Sequence, residues 1–209
     1  MKKPILLVIA GPNGAGKTTL TGRLNIERYS NNAEYLNPDD VARDQFGDWN
    51  NPEDVMAAAR WISTRREQLL SERQSIAIET VFSTYEKLDF LDRAKRAGYF
   101  VRLFFVGVDD PKLLAARIAG RVLEGGQTVP IEKIVRRYPR SMANLPRAIE
   151  LVDRVYIYDN SVDGVEAQLL ARTAGGKLRR LYADQVPAWV ADVLDPLPRH
   201  ADLKGDDDD

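Results

Sequence analysis

Gly11-Pro12-Asn13-Gly14-Ala15-Gly16-Lys17-Thr18 sets glycines, one lysine and one hydroxyl at a fixed spacing. The order satisfies G-x-x-x-x-G-K-[ST] at every fixed position. Such glycines let a backbone close around phosphates, because no Cβ blocks the approach and positive φ costs little. The N–H groups of the loop, and of a first helical turn through Thr19, then point at the anion, aided by the helix dipole. Lys17 would bridge the β- and γ-phosphates, and the Thr18 hydroxyl would hold Mg2+. The segment Gly11–Thr19 is therefore expected to bind ATP with Mg2+.

A transfer of phosphate to a hydroxyl needs a group that accepts the hydroxyl proton. The turn Asn37-Pro38-Asp39-Asp40, with Arg43 one helical turn later, offers two carboxylates. Asp39 is the first candidate for the base, with Asp40 and Arg43 beside the acceptor; the competing role is a helix cap, and one aspartate can cap while the other works. Glu79-Thr80 ends an apolar run, so its polar groups face a wet cleft or are paired. They would grip the acceptor or touch Mg2+ through water, unless they are simply a solvated strand end. Arg117, Arg121, Arg136 and Arg137 lie on two basic helical segments joined by Glu124-Gly125-Gly126-Gln127-Thr128-Val129-Pro130. A glycine-hinged basic element of this kind resembles a lid that closes on the transferring phosphoryl group. The alternative is an ordinary solvated helix.

These residues need a scaffold. Pro4–Ala10 is an apolar run of strand type directly before the glycine loop, and Thr19–Leu24 can continue as a helix. Further strands fit Tyr35–Asn37, Ser75–Thr80, Val101–Val108 and Arg154–Tyr158, the last as a final core strand. Helices fit Pro52–Arg73, Thr84–Ala97 (closed by Gly98), Pro111–Glu124, Ile131–Tyr138, Arg140–Leu151 and Pro187–Leu194. Val165–Arg172 and Lys177–Tyr182, around Gly175-Gly176, read as a β-hairpin. Alternation of strands with helices predicts an α/β P-loop NTPase or kinase fold: a mainly parallel sheet flanked by helices, a helical lid near Ala119–Arg137 and a C-terminal hairpin. In such a sheet ligands gather where the strands end. Those ends are the glycine loop, Asn37–Asp40, Glu79-Thr80, Asp109-Asp110 and Asp159-Asn160-Ser161.

The 209 residues suit one domain, expected over 1–195, with a disordered acidic tail over 196–209. A net charge of −1 gives no general attraction to nucleic acid or anionic membranes. The absence of cysteine excludes disulfides and thiolate metal sites, and the single histidine, His200, excludes a histidine cluster. The apolar N-terminal run is too short to span a membrane, so a cytoplasmic protein is expected.

The loop, the Asn37–Asp40 turn, Ile78-Glu79-Thr80, and Gly125–Pro130 followed by Arg136-Arg137-Tyr138 together resemble the zeta-toxin family, over roughly residues 4–165. More narrowly, they resemble its small stand-alone branch. The resemblance implies a P-loop kinase phosphorylating the sugar of UDP-N-acetylglucosamine on its 3′-hydroxyl, and a small antitoxin protein that blocks the nucleotide site. It implies Lys17 and Thr18 at phosphate and Mg2+, Asp39 as base, Glu79 with Thr80 at the sugar, and Arg121 with Arg136 or Arg137 as phosphate clamp. Ser83 or Thr84 is an alternative to Thr80. Other readings are a kinase for a nucleoside, an antibiotic or a nucleic-acid end, or an NTPase switch whose only acceptor is water. A nucleic-acid substrate is disfavoured by the charge balance and by aromatics not interleaved with basic residues.

Overall fold

Ile5-Leu6-Leu7-Val8-Ile9-Ala10 contains no polar residue, the mark of a strand covered on both faces. In the computed structural model, which describes residues 3–24, 29 and 32–199, it forms β1, Ile5–Ala10, an interior strand, third in order, of a seven-stranded sheet. The chain continues through α1 (Lys17–Arg23), β2 (Glu34–Leu36), α2 (Pro38–Val41), a π-helical turn over Ala42–Phe46 and α3 (Pro52–Ser71). Then come β3 (Ile76–Thr80), α4 (Tyr85–Arg96), β4 (Phe100–Gly107), α5 (Pro111–Leu123) and α6 (Ile131–Leu151). β5 (Arg154–Asp159), β6 (Gln168–Ala174), β7 (Lys177–Leu181) and α7 (Ala188–Leu194) complete it.

The strand order is β2-β3-β1-β4-β5-β6-β7. The first five strands in that order run parallel, and β6 and β7 are antiparallel additions. Alternate residues of β1 feed two cores. Leu6, Val8 and Ala10 join Phe105, Ile157 and helical residues of α3, α4 and α6. Leu7 and Ile9 join Phe104, Val106 and Tyr156 under α1 and α5. Because β1 lies between β3 and β4, its end opens at the centre of the sheet's upper edge. That position puts the strand ends at Thr80 and Gly107 on either side of the glycine loop.

Two expectations are corrected. The segments Ile131–Tyr138 and Arg140–Leu151 are one continuous helix, with Pro139 and Pro146 inside it. A proline lacks the N–H and crowds the carbonyl four residues earlier. Here the two prolines are seven apart, so they share one face, and that face is exposed. Solvent-side carbonyls of a helix can tilt outward to water, which accommodates the rings. The second correction concerns Arg154–Asp159, which is not the final core strand. β6 pairs with it, and the hairpin buries Leu170, Ala171 and Leu178, with Arg172 and Thr173 also enclosed. Beyond β7, Leu178 donates its N–H to the Pro198 carbonyl and pairs with Arg199 as a parallel bridge. The expected acidic tail lies beyond Arg199, outside the described residues, as does His200. Among the described residues no helix is long and apolar enough to cross a membrane.

The packing predicts where the sequence tolerates truncation. Phe105 is fully buried and touches Trp189, whereas Leu123 is 90% exposed. Phe105→Ala should cost about 3–5 kcal/mol of unfolding free energy in urea titration. Leu123→Ala should change it by no more than about 0.5 kcal/mol. Similar losses for the two variants would contradict this core.

Candidate active site

Gly11 leaves β1 with φ +147°, and a Cβ there would overlap the Val106 carbonyl of β4. Its N–H donates to the Thr80 carbonyl at 3.3 Å. The loop thus starts wedged between β3 and β4, a closeness only glycine permits. Gly16, at φ +95°, turns the loop into α1, which has no capping side chain. Its first N–H groups are left for whatever the loop holds. Pro12, Asn13, Gly14 and Ala15 form the intervening turn, in which the Ala15 N–H donates to the Pro12 carbonyl at 3.3 Å. Lys17 Nζ donates to the same carbonyl at 3.0 Å. Burial pulls the Lys17 ammonium down to about 8, against the upward effect of Glu79 and Asp39; Arg121 and Arg137 add to the downward side.

Glu79 is buried at the end of β3 and accepts three hydroxyls. Thr18 Oγ1 lies 3.1 Å from Oε2, while Thr21 Oγ1 and the Tyr35 hydroxyl each lie 2.6 Å from Oε1. Burial, and then the Glu79 carboxylate, drive the Tyr35 phenol well above its ordinary value. The Thr18 hydroxyl and the Glu79 carboxylate form a hard oxygen donor set beside the phosphate loop. Such a set suits Mg2+, which is usually held by few protein groups together with substrate phosphates and water. Among the described residues there is no cluster of three or more acidic, histidine or cysteine side chains for a metal.

On the other side of Lys17 stands the acidic turn. The helix cap there is Asn37, whose side chain accepts the Asp39 N–H at 3.0 Å; neither aspartate caps. Asp39 lies in the first turn of α2 and interacts with Lys17. Although the residue is exposed, desolvation on its inner side raises its carboxyl above the usual range, and a hydrogen bond from Gln127 and the Lys17 charge oppose that rise. Asp40 and Arg43 face outward as an ion pair at 3.3 Å, and Arg43 also bonds Asp44 at 2.6 Å and lies over the Trp49 ring.

The four arginines separate. Arg121 and Arg137 both act on the Lys17 ammonium. Arg137 also reaches Asn13 Oδ1 at 3.5 Å, and burial lowers its pKa. Arg136 is exposed and influences Arg137 rather than the loop. Arg117 bonds the Asn160 carbonyl at 2.9 Å, Asp163 at 3.1 Å and the Val162 carbonyl at 3.3 Å. The loop between α5 and α6 rests on the segment that follows the π-helical turn. Gln127 Nε2 lies 3.4 Å from the Trp49 carbonyl, and the Thr128 N–H donates to Asn50 Oδ1 at 2.8 Å.

Thr80 Oγ1 accepts the Phe82 N–H at 3.2 Å, shaping a turn in which Phe82 has φ +60°. Helix α6 holds that turn through Ser141, 2.7 Å from the Val81 carbonyl, and Asn144, 2.9 Å from the Phe82 carbonyl. Ser83 and Thr84 follow at the start of α4, where Thr84 makes no capping bond. Contacts that sequence reasoning did not assign complete the site: Thr21 and Tyr35 on Glu79, Gln127 on Asp39, and Asn160 on the glycine loop. Thr21 is four residues after Lys17, so helix spacing could have flagged it. Tyr35 sits in a strand too short to show a clear alternation.

The Lys17 environment has a pH signature. Between about pH 8 and the ordinary lysine value of 10.5, the unfolded chain still holds this proton after the folded one has lost it. Stability therefore rises with pH across that window through Lys17, and the group contributes no slope below it. In nucleotide-free protein, the unfolding free energy of the parent minus that of Lys17→Met should climb from pH 8 to 10.5. A flat or falling difference would refute the buried ammonium.

The sequence matches the family model described as Zeta toxin over residues 1–165. No curated protein matches it. Among solved structures, the AvrRxo1-ORF1:AvrRxo1-ORF2 complex with sulphate ions aligns at TM-score 0.60 and 20% identity, over 84% of this chain and 60% of that one. The chain thus spans about 60% of the length of that relative, which has also been solved with ATP. The PezAT chromosomal toxin-antitoxin system of Streptococcus pneumoniae aligns at TM-score 0.57 and 20% identity, over 77% of this chain and 69% of that one. The Pnkp1/Rnl/Hen1 RNA repair complex aligns at 0.54 and 19%, over 70% and 47%. These likenesses establish the α/β fold, and the match across 1–165 establishes the family: the chain belongs to the zeta toxins.

Proposed function

We propose that this protein is a kinase of zeta-toxin type, moving the γ-phosphoryl group of ATP to a hydroxyl of a small acceptor. A nucleotide-sugar is the acceptor class, and UDP-N-acetylglucosamine is the first compound to test. The observation that supports the reading is the placement of Asp39 in the first turn of α2, where it interacts with both Lys17 and Gln127.

In the proposed reaction Lys17 and the loop N–H groups hold the β- and γ-phosphates, and Thr18 with Glu79 would hold Mg2+, which supplies charge neutralisation on the phosphates. Asp39 takes the proton of the acceptor hydroxyl as its oxygen bonds to phosphorus, and the bond to the ADP oxygen breaks. Arg121 and Arg137, both near Lys17, neutralise charge on the group in transit. Arg136 would join them only after a movement of the lid. Arg117, Thr80, Asp40 and Arg43 act through the walls of the cleft, since each is engaged with protein groups. A cytoplasmic location, where ATP is plentiful, suits this chemistry. Because PezAT is a toxin-antitoxin system, an antitoxin protein is the partner to seek.

The test mixes the protein with ATP, Mg2+ and a panel of UDP-sugars, nucleosides and oligonucleotides, and follows phosphate transfer by mass spectrometry. A phosphorylated UDP-sugar is expected. Asp39→Asn should cut transfer about 10²–10⁴-fold, with ATP affinity and melting temperature nearly unchanged. Lys17→Ala should abolish turnover while the fold remains. Free phosphate as the sole product with every acceptor would replace the kinase by an NTPase.

A further inference from the structure

The end of β5, Asp159-Asn160-Ser161, is a strand terminus that the proposed reaction does not use, and it lies against the glycine loop. Asn160 Nδ2 donates to the Ala15 carbonyl at 2.8 Å, and its backbone N–H donates to the Gly107 carbonyl at 2.9 Å. Ala15 is fully buried, and the Asn160 carboxamide fills the space where a Cβ on Gly16 would stand. A trans peptide points its C=O and N–H in opposite directions. Holding the Ala15 carbonyl against Asn160 therefore turns the Gly16 N–H the other way, away from the β5 side of the loop.

Asn160 is itself held from two sides. Asp159 accepts the Trp189 indole N–H at 2.8 Å and the Ser161 hydroxyl at 2.6 Å on Oδ1, and the Ser161 N–H at 3.2 Å on Oδ2. Ser161 Oγ accepts the Asp109 N–H at 2.9 Å, joining the ends of β4 and β5. The indole lies on Gly107, where any side chain would collide with the ring. From the other direction, Arg117 grips the Asn160 carbonyl. Trp189 belongs to α7, beyond residue 165 where the family match ends.

We infer that Asn160 is a positioning residue for the phosphate loop, aimed by Trp189 through Asp159, so that the C-terminal helix tunes nucleotide affinity. The inference rests on the proposed binding of ATP at Gly11–Thr19. It adds that a region outside the matched domain controls how well that loop is preorganised. Asn160 contributes one hydrogen bond to the loop, and its loss exposes the Ala15–Gly16 peptide to reorientation.

ATP affinity of the full chain, measured by calorimetry alongside melting temperature, separates the possibilities. Asn160→Ala should weaken ATP binding about five- to tenfold, the size of one lost hydrogen bond. Asn160→Asp keeps the size but sets an oxygen against the Ala15 carbonyl, so it should bind ATP more weakly than Asn160→Ala. Trp189→Phe keeps the packing and removes only the indole donor; it should lose about two- to fivefold in affinity by releasing Asp159. Combined with Asn160→Ala it should add little further loss, because both act through one chain of contacts. Parent-like ATP binding in Asn160→Ala and Asn160→Asp, with only the melting temperature lowered, would overturn the positioning role. Losses that simply add in the double variant would overturn the link to Trp189. A parent protein that binds no ATP would instead defeat the nucleotide reading itself, and the inference with it.

Discussion

A carboxylate buried at the end of a central strand must have donors, since burying it unpaired costs several kcal/mol or more. Glu79 is only 6% exposed, and its donors come from different parts of the fold: Tyr35 from β2, Thr18 and Thr21 from α1. The requirement to satisfy this one side chain ties an edge strand, a central strand and the helix after the glycine loop into one unit. It also places two opposite charges, Glu79 and Lys17, on the same small volume. The loop can then stay rigid without ligand, since its lysine already rests on the Pro12 carbonyl and faces two acids.

The two sides of the cleft are built differently. The nucleotide side is fixed by backbone, with Gly11 against Val106 and Gly16 against Asn160. The facing side is assembled from short elements: α2, the π-helical turn, and the loop of Gln127 and Thr128 resting on Trp49 and Asn50. Such contacts are few and exposed, the property expected of segments that open and close. A rigid loop beside a wall of short, lightly held segments is an arrangement in which loop changes can alter one side of a cleft without disturbing the fold.

Much of this was legible in the sequence because it is written in local patterns. β1 was readable to within one residue, since a polar-free run before a glycine loop has only one reasonable interpretation. Lys17, Thr18 and Asp39 stood out as candidates because motif and strand end coincide, and the fold brings them together around Glu79. The corrections share a different origin. Pro139 and Pro146 are helix breakers by local rule, and only the packing shows that both rings face solvent on one side of α6. Asn37 was passed over as a cap because two aspartates followed it. Gln127 and Asn160 make their contacts across 88 and 145 residues of sequence, and no periodicity reports on pairs so far apart. Arg117, Arg121, Arg136 and Arg137 formed one basic cluster in the sequence, yet helix geometry sends them to different neighbours.

The edges of the sheet have a consequence for the molecule among its copies. β2, at one side, is three residues long. At the other side β7 carries Lys177, Arg179 and Arg180, and its Leu178 N–H is already taken by the Pro198 carbonyl. A strand from a second molecule would meet a stub on one flank and a charged, partly occupied border on the other. Brief, cationic or covered borders are how natural sheets avoid edge-to-edge aggregation. The segment Pro198-Arg199 thus does for solubility what a closed barrel does by having no edge at all.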